Sequence, residues 1–395
     1  MDTAIAVVNS GSTSLKFAVY GAGNSHLDLL CRGIADSIQT APHFVVTDRD
    51  GKPLSAHEWG EGHAIDHGKA LAFAIEWFEK YMPGVKIAAA GHRVVLGGER
   101  FDGPVLINAD VLGYLDSLAV MEPSHQPYNV APARAIARSS PDLPQVACFD
   151  TSFHRTMPEI AQIYALPKEV RNKGVHRWGF HGLSYEYIST QIPKYARGVR
   201  RVIAAHLGGG ASMCAMLDGK SIETSMGFSA LSGLPMATRS GDVPPDLLFY
   251  LLRSKLYDEA ALEKIFYQKS GLLGLSETSS DMREIENSAD PRAKLAFDYF
   301  VYGIVKYAGS YASVLGGLDA LVFTAGIGEN SAKVRAAVCE KLGWLGIEID
   351  PAANKKNGPL ISAKGSDVSV WVIPTDEELM IAMHTQALAA PNKTF

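Results

Sequence analysis

The sequence predicts an α/β protein with more than one domain, and three observations support this class. Short apolar runs that end in glycine and serine clusters alternate with longer segments of helical periodicity, which is typical of α/β proteins. A strand–turn–strand pattern occurs twice, in the first and second halves of the chain. The chain has 395 residues. At roughly 150 residues per domain, this length indicates two or three domains.

The individual elements follow from local composition and hydrophobic period. The acidic run after Thr375 indicates the capped start of a last helix, because acidic residues favour the first helical turn. Strands are predicted at 4–8, 86–90, 145–149, 202–206, 320–324 and 368–373. Helices are predicted at 66–81, 129–138, 245–254, 291–315, 331–342 and 376–388.

The repeated pattern consists of AIAVVNSGSTSLKFAVY at 4–20 and VIAAHLGGGASMCAML at 202–217. Each copy has an apolar strand, a tight turn of small residues and a second strand. Small turn residues let backbone N–H groups converge into an anion-binding nest suited to phosphate. Two domains built on related plans, with two nests facing each other, would hold a polyphosphate. An ordinary glycine turn is the alternative interpretation for either hairpin alone.

The composition is that of a globular protein, with 47% hydrophobic and 20% charged residues and a net charge of −5. Disordered, collagen-like and disulfide-scaffold classes are excluded. Because there is no global basic field, we expect neither a nucleic-acid partner nor an anionic membrane partner. Four scattered cysteines without a CxxC pair indicate buried thiols in a reducing compartment. The first apolar run is too short for a signal peptide or a membrane span, so we expect a cytoplasmic protein.

A third glycine cluster, FTAGIGENS at 323–331, follows a predicted strand and opens the helix SAKVRAAVCEKL. A loop at a helix start directs free N–H groups and the positive end of the helix dipole toward a bound anion. The chain has no GxxxxGK[ST] motif, and the cluster lacks the third glycine of a GxGxxG motif. P-loop and Rossmann nucleotide sites are therefore disfavoured.

Five charged or imidazole side chains occur among glycines and small residues at predicted strand ends and loops. A single such residue is more often structural, but side chains in these positions together indicate a functional cleft. They are Arg93, His125, Asp150, His181 and Arg239.

Motifs from residue 9 to residue 382 resemble the successive signatures of the acetate kinase (acetokinase) family. They occur in order and cover almost the whole chain. They are NSGSTSLKF, GHRVVLGGE, FDTSFHRTMP, WGFHGLS, HLGGGAS, TSMGFSALSGLPMATRSGD, SGLLGLSETSSDMRE, FTAGIGENSAKVR and PTDEELMIA.

This resemblance implies two ribonuclease-H-like domains of the actin, Hsp70 and sugar kinase superfamily, with a nucleotide cleft between them. The N-terminal domain would comprise 1–149 completed by a C-terminal helix within 377–395, and the nucleotide-binding domain would comprise 150–376. It further implies a homodimer that transfers a phosphoryl group from ATP to acetate, giving ADP and acetyl phosphate. Mg²⁺ is the implied cofactor, with Mn²⁺ able to substitute.

The resemblance also implies roles for four catalytic residues. Arg93 and Arg239 would hold the carboxylate and the moving phosphoryl group, and His181 would donate to that group in the transition state. Acetate is ionised at neutral pH, since carboxylic acids titrate near pH 4, so no general base is required. Asp150 is therefore expected to orient an arginine or the metal shell.

The remaining site residues are expected by resemblance. Metal ligands would be Asn9 and Glu377, with Glu378 as an open alternative to Glu377. Nucleotide contacts would come from Ser12, Ser14, Lys16, His125, His206, Gly208, Gly209, Gly210, Asp281, Met282, Arg283, Gly326, Ile327, Gly328 and Asn330.

The acyl pocket would be formed by Val95, Ser124, Phe180 and Ala230. Ser124 and Ala230 replace a leucine and a proline that the family usually has, and both changes enlarge or polarise the pocket. Because one methylene is worth only about 1 to 3 kcal/mol in an apolar pocket, we expect acetate first and propionate as a second substrate. The other departures from the family pattern are Leu96, Leu183, Tyr185 and Gly209.

Three alternatives remain open at this point. A propionate or short-chain acyl kinase would share the same motifs. An ATP-operated binding switch of the Hsp70 or actin kind would share the fold, but it would not need a second oxyanion site beside the γ-phosphate. A degenerate paralogue with weak activity would explain the Leu96 and Gly209 departures.

Overall fold

The computed structural model describes residues 2–23, 26–60 and 62–389. The chain forms two compact units. Unit 1 spans Met1–Ser152 and Asp376–Phe395, and unit 2 spans Phe153–Thr375. The expected boundaries placed Asp150 in the C-terminal domain, whereas the structure places it in unit 1.

Unit 1 contains an eight-stranded sheet with the order β5-β4-β3-β2-β1-β6-β8-β7. Strands β1 to β5 form an antiparallel meander, while β6 pairs in parallel with both β1 and β8. The strands are β1 (Asp2–Ser10), β2 (Leu15–Ala22), β3 (Leu27–Asp36), β4 (His43–Asp48), β5 (Pro53–Glu58), β6 (Val85–Val94), β7 (Val105–Leu106) and β8 (Gln145–Phe149).

Unit 2 contains a five-stranded sheet with the order β11-β10-β9-β12-β13. Strand β10 is antiparallel to β9 and β11, while β12 is parallel to β9 and β13. The strands are β9 (Arg201–Leu207), β10 (Ala211–Leu217), β11 (Lys220–Thr224), β12 (Ala320–Thr324) and β13 (Ser369–Val372).

The two sheets share one plan. In each, an antiparallel hairpin, β1–β2 or β9–β10, lies beside a parallel strand, β6 or β12, that pairs with its first strand. On one side of each sheet, a further strand, β3 or β11, pairs with the second strand of the hairpin. On the other side, β8 or β13 pairs with the parallel strand. The predicted α/β class and the predicted repetition of a hairpin are therefore confirmed.

The helices are divided between the two units. Those of unit 1 are α1 (His67–Tyr81), α2 (Ala109–Ser117), α3 (Gln126–Ser139) and α15 (Glu377–Ala389). Those of unit 2 are α4 (Glu159–Gln162), α5 (Lys168–Arg171), α6 (Gly182–Tyr195), α7 (Pro245–Arg253), α8 (Glu259–Gln268), α9 (Gly271–Ser276), α10 (Met282–Ile285), α11 (Pro291–Leu315), α12 (Ala325–Asn330), α13 (Ala332–Lys341) and α14 (Pro351–Lys355). Short 3₁₀ helices lie at Leu118–Val120, Ser152–Thr156 and Gly343–Leu345.

Helix α15 packs against β1, β6 and β8 of unit 1. The close approach depends on Gly91 in β6, where a Cβ atom would lie 2.2 Å from Thr385 Oγ1 and 2.6 Å from Ile381 Cγ2. Both helix residues are fully buried. This packing places Glu377, the first residue of α15, in the unit that contains Arg93 and Asp150.

Each unit has its own apolar core. In unit 1, aromatic residues of the sheet and of α1 pack together, with the Phe17 and Phe44 ring centroids 5.8 Å apart and Trp77 beside Phe44. In unit 2, Tyr185 and Ile188 of α6 pack against strands of the second sheet. Within the described ranges, no helix combines the length and apolar character needed to cross a membrane.

Candidate active site

Arg93 and Asp150 form the best-defined ion pair of unit 1. Arg93 lies near the end of β6, and Asp150 directly follows the neighbouring parallel strand β8. Arg93 Nε donates to Asp150 Oδ1 at 3.0 Å, and Nη2 donates to Oδ2 at 2.7 Å. Its third nitrogen, Nη1, lies 3.5 Å from Glu377 Oε2.

The electrostatics of this trio follow from burial and charge. Burial opposes the charge of Arg93, but the Asp150 and Glu377 carboxylates outweigh it and raise the pKa of Arg93 above its usual range. Burial raises the pKa of Glu377 to about 7, with Arg93 opposing the rise and Asp150 adding to it. The three groups therefore form one charged cluster, in which Arg93 is shared by two carboxylates.

Helix α3 supports the segment that follows β6. Asn129 Oδ1 accepts from Val95 N at 2.9 Å, and Gln126 Oε1 accepts from Leu96 N at 3.3 Å. Val95 is buried, and Leu96, which replaces a family histidine, is fully buried.

Two more predicted residues lie in the turn before α3, where buried Glu122 is their shared partner. His125 Nδ1 lies 2.9 Å from Glu122 Oε1, and Ser124 Oγ donates to the same oxygen at 3.4 Å. His125 and Ser124 are therefore anchored in unit 1 by one carboxylate.

The β1–β2 turn carries Ser12 and Ser14 and is closed by a bond from Gly11 N to Ser14 O at 2.8 Å. Asn9 pairs with Lys16 across this hairpin. Lys16 and Glu378 both line a cavity of about 320 Å³ in unit 1. Glu377 and Glu378 therefore have different surroundings, since only Glu377 pairs with Arg93.

In unit 2, His181, His206 and Arg239 surround the glycine turn between β9 and β10. The rings of His181 and His206 stack with their centroids 4.1 Å apart. A Cβ atom on Gly210 would lie 3.2 Å from His181 Nε2 and 3.9 Å from Arg239 Nη1. The turn therefore lies directly beside one imidazole and one guanidinium donor.

The backbone of His181 is in the left-handed region, with φ +57, and His181 is the N-cap of α6. This conformation is uncommon for a residue with a side chain and often marks functional sites. Arg239 Nη1 donates to the Ala230 carbonyl at 2.9 Å, which links the arginine to a residue expected in the acyl pocket. Phe180, the other residue of unit 2 that is expected in the acyl pocket, is buried.

A cavity of about 730 Å³ lies within unit 2 beside the same glycine turn. This is within the usual size range of small-molecule sites. Eight of the predicted nucleotide residues line it: Gly208, Gly209, Asp281, Met282, Arg283, Gly326, Ile327 and Asn330. Four further lining residues were missed from the sequence: Ala237, Ser280, Glu286 and Ser331. Of these, Ala237, Ser280 and Ser331 lie within motifs that the sequence analysis had singled out, whereas Glu286 does not.

The glycine cluster after β12 differs from the expected loop. Residues Ala325–Asn330 form the short helix α12, and Ser331 then caps α13 by accepting from Val334 N. Gly328 is buried against the sheet, where an added Cβ would lie 3.4 Å from the Phe323 carbonyl carbon and 3.6 Å from Ala205 O. Gly328 therefore serves packing, and it is not among the lining residues of the cavity.

The predicted metal residues, Asn9 and Glu377, both belong to unit 1. Over the part of the chain that the structure describes, no group of three or more His, Cys, Asp or Glu side chains is arranged to hold a metal ion. The amide oxygen of Asn9 and the carboxylate oxygens of Glu377 are nevertheless hard ligands of the kind that Mg²⁺ prefers. Mg²⁺ usually keeps several waters and also binds substrate phosphate oxygens. The donor set thus fits a magnesium ion that relies on its substrate.

Comparisons with known proteins show the family to which this chain belongs. A family model described as the acetokinase family matches residues 4–383. An acetate kinase of Rhodopseudomonas palustris is 47% identical over 396 residues, covering 98% of this chain and 99% of the relative. An acetate kinase of Rhizobium meliloti is 46% identical over 392 residues, covering 98% and 99%.

Two solved structures have closely similar folds. A propionate kinase from Francisella tularensis has a TM-score of 0.90 at 37% identity, covering 98% of this chain and 100% of that one. An acetate kinase of Porphyromonas gingivalis has a TM-score of 0.86 at 36% identity, covering 98% and 99%. These folds and the two-sheet architecture define a phosphotransferase of the actin, Hsp70 and sugar kinase superfamily. The chain belongs to the acetokinase family, which confirms the family that its motifs predict.

Proposed function

We propose that this protein transfers the γ-phosphoryl group of ATP to acetate in a reversible, in-line reaction that gives acetyl phosphate and ADP. The observation that carries the proposal is the glycine turn of unit 2. Gly208 and Gly209 line the 730 Å³ cavity, and Gly210 lies beside His181 and Arg239. A nucleotide in the cavity with its phosphates on this turn would present its terminal phosphate to both donors.

The chemistry requires charge stabilisation rather than proton abstraction, because the acceptor carboxylate is already ionised. In a largely dissociative transfer, negative charge spreads over the three equatorial phosphoryl oxygens. We assign stabilisation of that charge to Arg239 and His181, and binding of the acceptor carboxylate to Arg93. Asp150 fixes the plane of the Arg93 guanidinium and needs no role as a base.

The proposal includes Mg²⁺, with Mn²⁺ able to substitute, held by Glu377 and Asn9. Glu377 is proposed over Glu378 because it matches the glutamate of the family pattern, and Glu378 stays the alternative ligand. When bound, the ion would supply positive charge to the nucleotide phosphates. The protein's own part is to keep the Glu377 carboxylate beside Arg93.

The acceptor range is part of the proposal. Ser124 and Ala230 leave more room than the leucine and proline usual in the family, and the similar Francisella structure is a propionate kinase. We therefore propose acetate as the better substrate and propionate as the second. Comparing kcat/KM for acetate, propionate and butyrate tests this range, and a preference for butyrate would contradict it.

The activity itself is tested by trapping acyl phosphate with hydroxylamine in the presence of acetate, ATP and Mg²⁺. Arg239→Ala should lower kcat by about 10²-fold to 10³-fold, the usual effect of losing one oxyanion donor. Arg200→Ala is the matched control, because Arg200 is exposed and pairs with Asp218. ATP binding without acyl phosphate from any short acid would instead favour a nucleotide-operated binding switch.

We also propose a homodimer formed through unit 2. Helix α7 has no buried residue, yet most of its side chains are apolar, and Phe249 and Tyr250 are more than half exposed. Tyr302 on α11 is also largely exposed. Exposed apolar clusters of this kind mark contact surfaces. Light scattering should give the dimer mass for the native protein and the monomer mass for Phe249→Asp; a native monomer would contradict the proposal.

A cytoplasmic location is proposed as well, because all four cysteines are free and buried. Disulfides are rare in reducing compartments.

A further inference from the structure

A buried hydroxyl pair lies behind His181. The Oγ of Ser212 is 2.7 Å from His181 Nδ1, and it is 2.6 Å from the phenol oxygen of Tyr185. Ser212 and Tyr185 are both fully buried. One serine hydroxyl therefore connects the phenol of α6 to the ring nitrogen of His181 that faces away from Gly210.

Three proton arrangements satisfy both hydrogen bonds, because a serine hydroxyl donates one bond and can accept two. In the first, Tyr185 donates to Ser212 and Ser212 donates to Nδ1, so the neutral ring carries its proton on Nε2. In the second, Nδ1 donates to Ser212 and Ser212 donates to Tyr185, so Nε2 is left with a lone pair. In the third, Nδ1 and Tyr185 both donate to Ser212, so the serine proton has neither of them as an acceptor, which is unfavourable at a fully buried site. A phenol is a more acidic hydroxyl than that of serine, hence a better donor and a poorer acceptor, which disfavours the second. The first arrangement is therefore favoured.

The side of the ring that bears Nε2 faces the glycine turn, since a Cβ atom on Gly210 would lie 3.2 Å from this nitrogen. An Nε2–H group there donates to an anionic oxygen, whereas an Nε2 lone pair repels it. The tautomer of His181 therefore decides whether the imidazole stabilises a phosphoryl group or opposes it.

We propose that Tyr185, acting through Ser212, is a positioning residue that holds His181 in the tautomer protonated on Nε2. The catalytic importance of this tautomer rests on the proposed function, but the tautomer itself does not. Tyr185 lies on α6, four residues after His181. The helix that His181 caps therefore also contains the group that sets the protonation of the His181 ring.

The direct test is long-range ¹H–¹⁵N correlation spectroscopy of the full-length protein labelled at histidine. The signals of His181 are assigned from their loss in His181→Gln. His154 is an internal reference, because its Nε2 lies 2.9 Å from the Phe180 carbonyl, which can only accept. We expect the native His181 pattern to match that of His154, with Nε2 protonated and Nδ1 not.

Variants then test the role of Tyr185. Tyr185→Phe should mix the two His181 tautomers and lower kcat about fivefold, because one lost hydrogen bond is worth about 1 kcal/mol and 1.36 kcal/mol is tenfold in rate. The KM for ATP should change little. Ser212→Ala removes the hydroxyl that links Tyr185 to His181, so it should give the same spectral change. Tyr195→Phe is the control, since it removes an exposed phenol from the same helix.

The proposal is overturned if native His181 is protonated on Nδ1 or on both nitrogens, which the native spectrum decides without any variant. It is also overturned if both Tyr185→Phe and Ser212→Ala leave the His181 signals unchanged. If the tautomer shifts as expected but His181→Gln keeps full activity, the catalytic role assigned to His181 is wrong while the positioning role of Tyr185 stands.

Discussion

Arg93 binds both carboxylate oxygens of Asp150, through Nε at 3.0 Å and Nη2 at 2.7 Å. This two-bond geometry fixes the plane of the guanidinium group, because a planar fork matches a carboxylate in one orientation. The remaining nitrogen, Nη1, is directed toward Glu377. Asp150 is almost fully buried, so its charge depends on Arg93 for compensation.

Arg93→Lys is expected to lower kcat by about 10²-fold, although the charge is retained. A lysine offers a point charge and cannot bind two oxyanions in one plane, so replacing this arginine is not conservative. Steady-state kinetics with acetate measure the effect. Arg134→Lys is the control, since Arg134 pairs with Asp116 at the exposed surface. Near-native turnover in Arg93→Lys would remove Arg93 from the proposed mechanism.

Asp150→Asn should reduce kcat without adding or removing a limb of the pH–rate profile. The change removes the charge that orients Arg93, but no proton transfer depends on this carboxylate in the proposed mechanism. A general base would instead give a limb that disappears in the variant. Measuring kcat/KM for acetate from pH 5 to pH 9 distinguishes the two roles.

Two buried histidines predict lower stability in acid. Burial lowers the pKa of His92 and of His154 from 6.5 to about 4, and the hydrogen bonds that the two rings donate to Gln145 Oε1 and to the Phe180 carbonyl only partly oppose the shift. Below pH 6.5 the unfolded chain binds protons that the folded chain does not, so stability is complete above pH 6.5 and is lost as the pH falls toward 4. Each histidine should cost up to about 3 kcal/mol across this window.

Urea unfolding at pH 7 and at pH 5 measures this loss. His154→Gln should reduce the pH dependence of the unit 2 transition, and His92→Gln should reduce that of unit 1. His63→Gln is the control, because His63 is exposed. An unchanged pH dependence in His154→Gln would contradict the assignment of the acid loss to buried imidazole.

Arg335 should be essential for the 730 Å³ cavity of unit 2, where we propose that the nucleotide binds, although it does not line this cavity. It is fully buried, and its Nη1 donates to the carbonyls of Gly328 and Glu329 at the end of α12. Its Nε donates to Asn354 at 2.7 Å. Arg335→Lys should destabilise unit 2 by about 3 kcal/mol, because hydrogen bonds to a charged group are each worth about 1.5 to 3 kcal/mol.

The same variant should raise the KM for ATP, since α12 carries Gly326, Ile327 and Asn330 of the cavity lining. Thermal unfolding and ATP titration measure the two effects. Lys341→Ala on the same helix, α13, should change neither, because Lys341 is exposed. Normal ATP affinity in a folded Arg335→Lys protein would show that α12 does not need this support.

Gly209→Asn should strengthen ATP binding by about fivefold. The family pattern has asparagine here, and no atom lies within 4 Å of an added Cβ, so the turn has room for the first atom of a side chain. One added hydrogen bond is worth about 1 kcal/mol. Gly343→Asn, at a second open glycine of unit 2, is the control. Weaker ATP binding in Gly209→Asn would mean that the turn accepts only glycine.

The sequence predicted the parts of the fold that depend on local pattern. The β1–β2 and β9–β10 hairpins were predicted because apolar strands flank tight turns of small residues. The strands β3 to β5 were not predicted, since their polar and apolar residues do not form an uninterrupted buried run.

The prediction of a loop at the glycine cluster was wrong, because a contact with a residue outside the cluster supports a helix there. Two glycines within six residues favour a loop, but the carbonyls at the end of α12 are bound by Arg335, which lies in the next helix. Glu286 and Ser331 were likewise missed as cavity residues because segments far apart in sequence bring them together. The catalytic roles remain predictions that the proposed variants test.

The position of α15 has a consequence for synthesis on the ribosome. Its residues are translated after the whole of unit 2, yet they cover β1 and β6 near the start of the chain. During synthesis, the sheet of unit 1 therefore lacks the cover of this helix until residues 377–389 have been translated. A shortened transcript that lacks this helix would yield a chain that aggregates or recruits chaperones.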